Sequence, residues 1–170
     1  MIKKKICIVI NNRANYARIK TLLKAIKKHK KLQLQLILES SAILTRYGSV
    51  DRIIKKDGFK IDEMIYTVIE GENLSTMSKS AGLAIIELTT IFAKLKPDIV
   101  LTIADRYETL PIAMVATYMN IPLAHTQGGE VTGSIDESVR HATTKLAHIH
   151  FPATKKSAIN LLKLGEDPKN

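Results

Sequence analysis

The sequence predicts a doubly wound parallel α/β sheet, Rossmann-like, and three observations carry that prediction. Continuous apolar runs alternate with stretches of helical periodicity along the chain, the pattern of strands buried on both faces between covering helices. The length, 170 residues, gives one domain a sizeable core but does not comfortably allow two, so residues 1–170 are expected to form a single domain. The segments densest in ionisable groups each follow directly on an apolar run, where open parallel sheets bind their ligands.

In chain order, "KICIVIN" (5–11) is an uninterrupted apolar run and the first expected strand. Ile19, Leu22, Leu23 and Ile26 recur at helical spacing over 16–28, with lysines on the other side. "LQLQLILE" (32–39) alternates and then turns fully apolar, as a second strand. A polar, glycine-bearing loop leads to a short helix at 50–56, and "EMIYTVI" (63–69) is a third strand. Ile85, Leu88, Phe92 and Leu95 mark one stripe of a long helix over 75–95, which Pro97 stops. "DIVLTIAD" (98–105) is the strongest strand. A helix at 108–119, a short strand "IPLAH" (121–125), a helix at 135–146, a sixth strand "IHFPAT" (149–154) and a helix at 155–164 complete the order.

Composition narrows the function classes. The net charge of +10 comes from lysines spread along stretches such as "KAIKKHKK", without the arginines and aromatics that a nucleic-acid groove interleaves with them. Solvated helix faces, with a general bias toward anionic ligands, account for it. No apolar run approaches the length of a membrane span. The basic start "MIKKK" precedes an apolar run too short for a signal peptide, so a cytoplasmic protein is expected. The single cysteine, Cys7, lies in the first strand and serves as a small buried hydrophobe.

Three segments carry the chemistry. "NNRANYAR" sets Arg13 between a strand and a helix start, aimed at a phosphate or carboxylate, or else in a plain loop with Asn15 as the helix cap. It contains no glycine, which argues against a dinucleotide turn. "LTIADRYE" ends an apolar strand in Asp105 and Arg106, either a partly desolvated carboxylate poised for proton transfer or an Asp–Arg pair capping the next helix. Glu108 suits that helix's first turn as a partner for its dipole.

"HTQGGEVTGSIDESVRHATTK" (125–145) holds Gly128 and Gly129, which let backbone approach a ligand. Ser134 or Asp136 can cap the helix that follows. Arg140 and His141 come one turn after Asp136 and Glu137, with Lys145 a turn further, so one helix face can present anion-binding groups. Histidines 125, 141, 148 and 150 with Glu130 match no zinc spacing, and neither a nucleophile elbow nor a P-loop is present. No metal and no cofactor is expected.

"DRYE" (105–108), "IPLAHTQGGEVTGSIDESVRHATTKLAHIHF" (121–151) and "LGEDP" (164–168) resemble the hydrolysing UDP-N-acetylglucosamine 2-epimerases of sialic-acid-type sugar pathways, and "NNRANYARIKTLL" resembles their first strand–turn–helix. Non-hydrolysing relatives typically carry an "EAGLR"-type segment where this chain has "QGGEV". The resemblance implies the N-terminal domain of a two-domain, glycosyltransferase-B-like architecture, with a UDP-sugar substrate in the interdomain cleft. It implies that a C-terminal UDP-binding domain, absent from this chain, completes the site, that the isolated chain is inactive, and that the protein is a homodimer.

The reaction so implied eliminates UDP across C1–C2 to a glycal and adds water, giving a free 2-epimeric sugar such as N-acetylmannosamine. By position the resemblance makes Asp105 and Asp136 catalytic carboxylates, with Gln127 and Glu130 beside them. Arg13, Arg106, His125, Gly128, Gly129, Arg140 and His141 fall at or near the substrate. Gln127 departs from the glutamate of several relatives, and an amide does not exchange a proton near neutral pH. Two other readings share the pattern: a non-catalytic nucleotide-sugar or dimerisation module, and the acceptor domain of a glycosyltransferase.

Overall fold

The computed structural model describes residues 2–170 and shows a six-stranded, all-parallel sheet in the order β3-β2-β1-β4-β5-β6. Its strands are β1 (Lys4–Ile10), β2 (Leu32–Glu39), β3 (Glu63–Ile65), β4 (Ile99–Ile103), β5 (Leu123–Thr126) and β6 (Ile149–Phe151). Between and after them run α1 (Arg13–Lys28), α2 (Val50–Lys56), α3 (Leu74–Leu95), α4 (Thr109–Tyr118), α5 (Ile135–Leu146) and α6 (Lys155–Lys163). The expected doubly wound sheet is therefore the observed one.

Alternation along the central strands divides the core in two. Ile6, Ile8 and Ile10 of β1 join Leu36, Leu38 and Leu101 against Tyr16, Ile19, Leu23 and Ile26 of α1 and Val50 and Ile54 of α2. Cys7 and Val9 face the other way, onto Leu88 and Phe92 of α3 and Ile112 and Val115 of α4. Cys7 is fully buried, as its position in an apolar run requires. Among the described residues no helix is long and apolar enough to cross a membrane.

Strand ends differ from expectation for local reasons. The third strand stops at Ile65 rather than 69, because only Glu63–Ile65 pair with β2. Beyond them the Ile69 N–H bonds the Ser80 hydroxyl of α3 instead of a neighbouring strand. The fourth strand stops before Ala104, whose φ of +64° leaves the extended region. α1 starts three residues early because Asn12, not Asn15, is its cap: the Asn12 side chain accepts the Asn15 N–H at 2.8 Å. The glycine-bearing loop after β2 contains two 3₁₀ turns, Ser40–Ile43 and Thr45–Tyr47. Lys96, left-handed at φ +49°, and then Pro97 close α3.

Candidate active site

The strand order reverses direction between β1 and β4, so the crevice of a doubly wound sheet opens past Ile10 and Ile103. Three non-glycine residues adopt left-handed backbone at this edge: Ser40 after β2, Ala104 after β4 and Gln127 after β5, with φ of +53°, +64° and +64°. Each such residue costs on the order of 1–2 kcal/mol, and strain of this kind gathers at functional edges. The bend at Ala104 separates its two successors. Asp105 turns toward β5 and α5, and Arg106 turns toward a cleft on the β2 side.

Asp105 is held by Arg140. The Arg140 guanidinium donates to Asp105 Oδ2 through Nη2 and to the Glu130 carbonyl through Nη1, the latter at 2.6 Å. Arg140 is only 1% exposed, so this pair is shielded and geometrically fixed. The expected Asp105–Arg106 cap does not form. Nor does α5 present one cationic face: Arg140 points inward, while Lys145 reaches Glu166 at 2.7 Å near the helix's other end. There Glu166 also meets His150 at 3.1 Å, which gives the "LGEDP" segment a structural task.

His125 is fully buried and presents nothing to a ligand. Its Nε2–H donates to the Ala104 carbonyl at 2.8 Å, and its Nδ1 faces the Thr144 hydroxyl at 3.3 Å. Burial, only partly offset by the Ala104 bond, lowers its pKa to about 4, so the ring is neutral. His125 therefore braces the strained residue immediately before Asp105. Gly128 and Gly129 likewise meet protein rather than open space. A β-carbon on Gly129, at φ +81°, would lie 2.2 Å from the Ser157 carbonyl oxygen of α6, and one on Gly128 would lie 2.9 Å from Thr144 Oγ1. These glycines make room for Thr144 of α5 and for α6.

At the start of α5, Ser134 makes no side-chain cap bond, and Glu137 folds back onto the loop. Its Oε2 accepts the Thr132 and Gly133 N–H groups, each at 2.6 Å, and these bonds hold its pKa below the ordinary glutamate value. With that work done by Glu137, Asp136 is left half-buried in the first turn. His141 lies 3.6 Å from Glu137 and has a buried, unpartnered Nδ1. Gln127 is fixed by Arg18 of α1, which donates to its Oε1 at 3.1 Å. Arg18 escaped sequence reasoning because its spacing from Arg13 marks it only as an exposed helix position.

The cleft on the β2 side measures about 790 Å³. Arg13, Arg46, Arg106 and Tyr107 line it together with apolar Leu44, Val68, Ile69 and Met77. Arg46 is paired with Glu70 at 3.0 Å, and among the described residues Arg13 forms no ion pair. Arg13 is therefore the unpaired cation at the mouth, and Arg106 stands there paired from below by Glu108. Glu108 stands at the N-terminus of α4, where its charge meets the helix dipole as expected, but it is not solvated. It is buried beneath the cleft, with Oε2 3.3 Å from Arg106 Nε and Oε1 accepting from Ser40 Oγ at 2.8 Å.

The Asp105 carboxylate, the Arg140 guanidinium and the Glu130 carbonyl thus meet on one side of the switch point, Arg13 and Arg106 line the cleft on the other, and Gln127 reaches Arg18 of α1. Among the described residues no three His, Cys, Asp or Glu side chains converge as a metal site. The chain has known relatives. The family model for UDP-N-acetylglucosamine 2-epimerase matches residues 24–170. A GDP/UDP-N,N'-diacetylbacillosamine 2-epimerase (hydrolyzing) of Campylobacter jejuni is 38% identical over 170 residues, spanning 99% of this chain and 44% of the relative. A UDP-N,N'-diacetylbacillosamine 2-epimerase (hydrolyzing) of Legionella pneumophila is 36% identical over 163 residues, 96% of this chain and 43% of the relative.

The crystal structure of UDP-GlcNAc 2-epimerase from Neisseria meningitidis bound to UDP-GlcNAc superposes with a TM-score of 0.84 at 21% identity, over 96% of this chain and 43% of that one. The likeness is one of fold. The chain spans somewhat less than half the length of the relatives it matches. Identity at this level over nearly every residue, together with the family model's span, leaves one conclusion: the chain belongs to the UDP-N-acetylglucosamine 2-epimerase family.

Proposed function

We propose that this domain forms the sugar-binding half of a hydrolysing UDP-HexNAc 2-epimerase, completed by a second, UDP-binding domain. The observation that carries the reading is the Asp105–Arg140 pair, set at a strained strand end beside a cleft with two arginines at its mouth. In the reaction a base removes the C2 proton, the C1–O bond to UDP breaks, and the electron pair forms the C1=C2 bond. Water then supplies hydroxyl to C1 and a proton returns to C2 from the opposite face, releasing the free 2-epimer. Asp105, oriented by Arg140, and Asp136 are the carboxylates assigned to these proton transfers. Arg13 and Arg106 meet the diphosphate and stabilise its charge as it departs.

The related hydrolysing enzymes named for UDP-N,N'-diacetylbacillosamine support a diacetamido, 6-deoxy sugar as substrate. So does the apolar cleft wall of Leu44, Val68, Ile69 and Met77, which suits methyl and acetyl groups better than hydroxyls. In the full-length protein, Asp105→Asn should lower release of UDP and free sugar at least about a thousandfold with the fold intact. Retained turnover would remove Asp105 from the mechanism. A second reading, binding without turnover, rests on one observation, the amide of Gln127 held by Arg18.

A further inference from the structure

Beneath the cleft lie two buried carboxyl groups to which the reaction above assigns no step. Glu39, the last residue of β2, is fully buried, and Glu108 is 2% exposed. Their surroundings are unequal. Glu108 has a cation and a hydroxyl, Arg106 Nε and Ser40 Oγ. Glu39 has only the Asn11 amide, which donates to its Oε1 at 2.6 Å. Glu39 Oε2 and Asn11 Oδ1 are both buried acceptors without a partner. Two buried acceptors without a partner, on side chains already bonded to each other, lack a donor, and a proton on Glu39 supplies one.

The groups facing Glu39 come from each neighbouring element. β1 leads to Asn11, β3 sets Ile65 opposite it, Ser40 follows it in the chain, and the approach to α4 brings Glu108 with Arg106 and Tyr107. Among the described residues no cation pairs with Glu39 itself. Ser40 also couples the two carboxyl groups: next to Glu39 in the chain and left-handed, it donates its hydroxyl to Glu108 Oε1 at 2.8 Å.

We infer that Glu39 is a positioning residue that stays protonated, so that Glu108 alone carries negative charge and holds Arg106 up at the cleft mouth. Burial, and secondarily the charge of Glu108, raise the Glu39 pKa to about 8. Above that pH a second buried negative charge appears beside the first. Arg106, the cation already bonded to Glu108, is then drawn down and lost to the diphosphate. Tyr107 does not compete in this window, because burial and Glu108 push its hydroxyl above its ordinary value.

The inference rests on the cleft being the nucleotide-sugar site, and the test separates the two. UDP affinity of the full-length protein is measured by calorimetry from pH 7.5 to 9.5, where the diphosphate keeps one charge state. Wild type should lose about tenfold in affinity across this range, and Glu39→Gln, which mimics the protonated acid, should lose less than about twofold. Glu108→Gln should bind UDP about tenfold more weakly at every pH, without the alkaline loss. Equal pH dependence in wild type and Glu39→Gln overturns the role of Glu39 while leaving the site standing. Absence of UDP binding at any pH overturns the site and the inference together.

Discussion

Replacing Glu39 by glutamine should change how stability depends on pH, and the size of the change follows from its burial. Glu39 titrates near 4.5 in an unfolded chain and at about 8 in the fold. Between these values the unfolded chain has released its proton and the folded one has not, so stability falls as pH rises and levels off above 8. Each pH step inside the window costs about 1.4 kcal/mol, and from pH 5 to 7.5 the loss comes to about 3 kcal/mol. Full burial means that solvent screening does not reduce it. Glu39→Gln has no proton to lose, so the variant should gain on wild type by that amount over the same interval.

The assay is urea unfolding of the two chains at pH 5, 6, 7 and 7.5. With a slope of about 2 kcal/mol per molar for a chain of this size, the midpoint difference should grow by roughly 1.5 M between the extremes. The change with pH is the observable, because an imperfect fit of the glutamine amide adds only a constant offset. Midpoint differences that stay within about 0.25 M across the series, which this slope makes about 0.5 kcal/mol, would show that Glu39 is already ionised in the fold.

Three more outcomes are expected. Gly129→Ala should destabilise the chain by at least about 3 kcal/mol in chemical unfolding, since the new methyl meets the Ser157 carbonyl at 2.2 Å in left-handed backbone; a loss under about 1 kcal/mol would mean α6 shifts freely. His125 should make the fold lose up to about 3 kcal/mol as pH falls from 6.5 toward 4, because the unfolded chain takes the proton first; His125→Gln should flatten that limb, and an unchanged slope would refute the buried neutral ring. Gln127→Glu, placed 3.1 Å from Arg18, should raise release of free sugar by the full-length protein on the order of tenfold; unchanged turnover would show that a carboxylate there is dispensable.

The sheet was legible because a parallel strand buried on both faces must be apolar without interruption, and "KICIVIN" and "DIVLTI" are. The edge that carries the candidate site was legible for the same reason: polar groups crowd where those runs stop. Strand lengths at the margins were not. Tyr66–Ile69 read as strand by composition, but pairing needs a neighbour, and β2 ends first. Asp105 and Asp136 could be singled out as carboxylates, yet which one Arg140 holds depends on how α5 packs beside α4 and β5.

What the sequence determines by itself is the order of elements, the family, and the sheet edge at which the candidate carboxylates Asp105 and Asp136 fall. What only the tertiary structure decides is which groups face outward. His125 and Gly129 carry the look of ligand contacts in one dimension and turn out to brace backbone and admit a helix, while Ser40 and Arg18, silent in the sequence, become a hydrogen-bond donor to Glu108 and the anchor of Gln127. The physical reason is that periodicity records burial, a property of one segment against all others, whereas hydrogen-bond partners are chosen by whichever atoms the fold brings within about 3 Å.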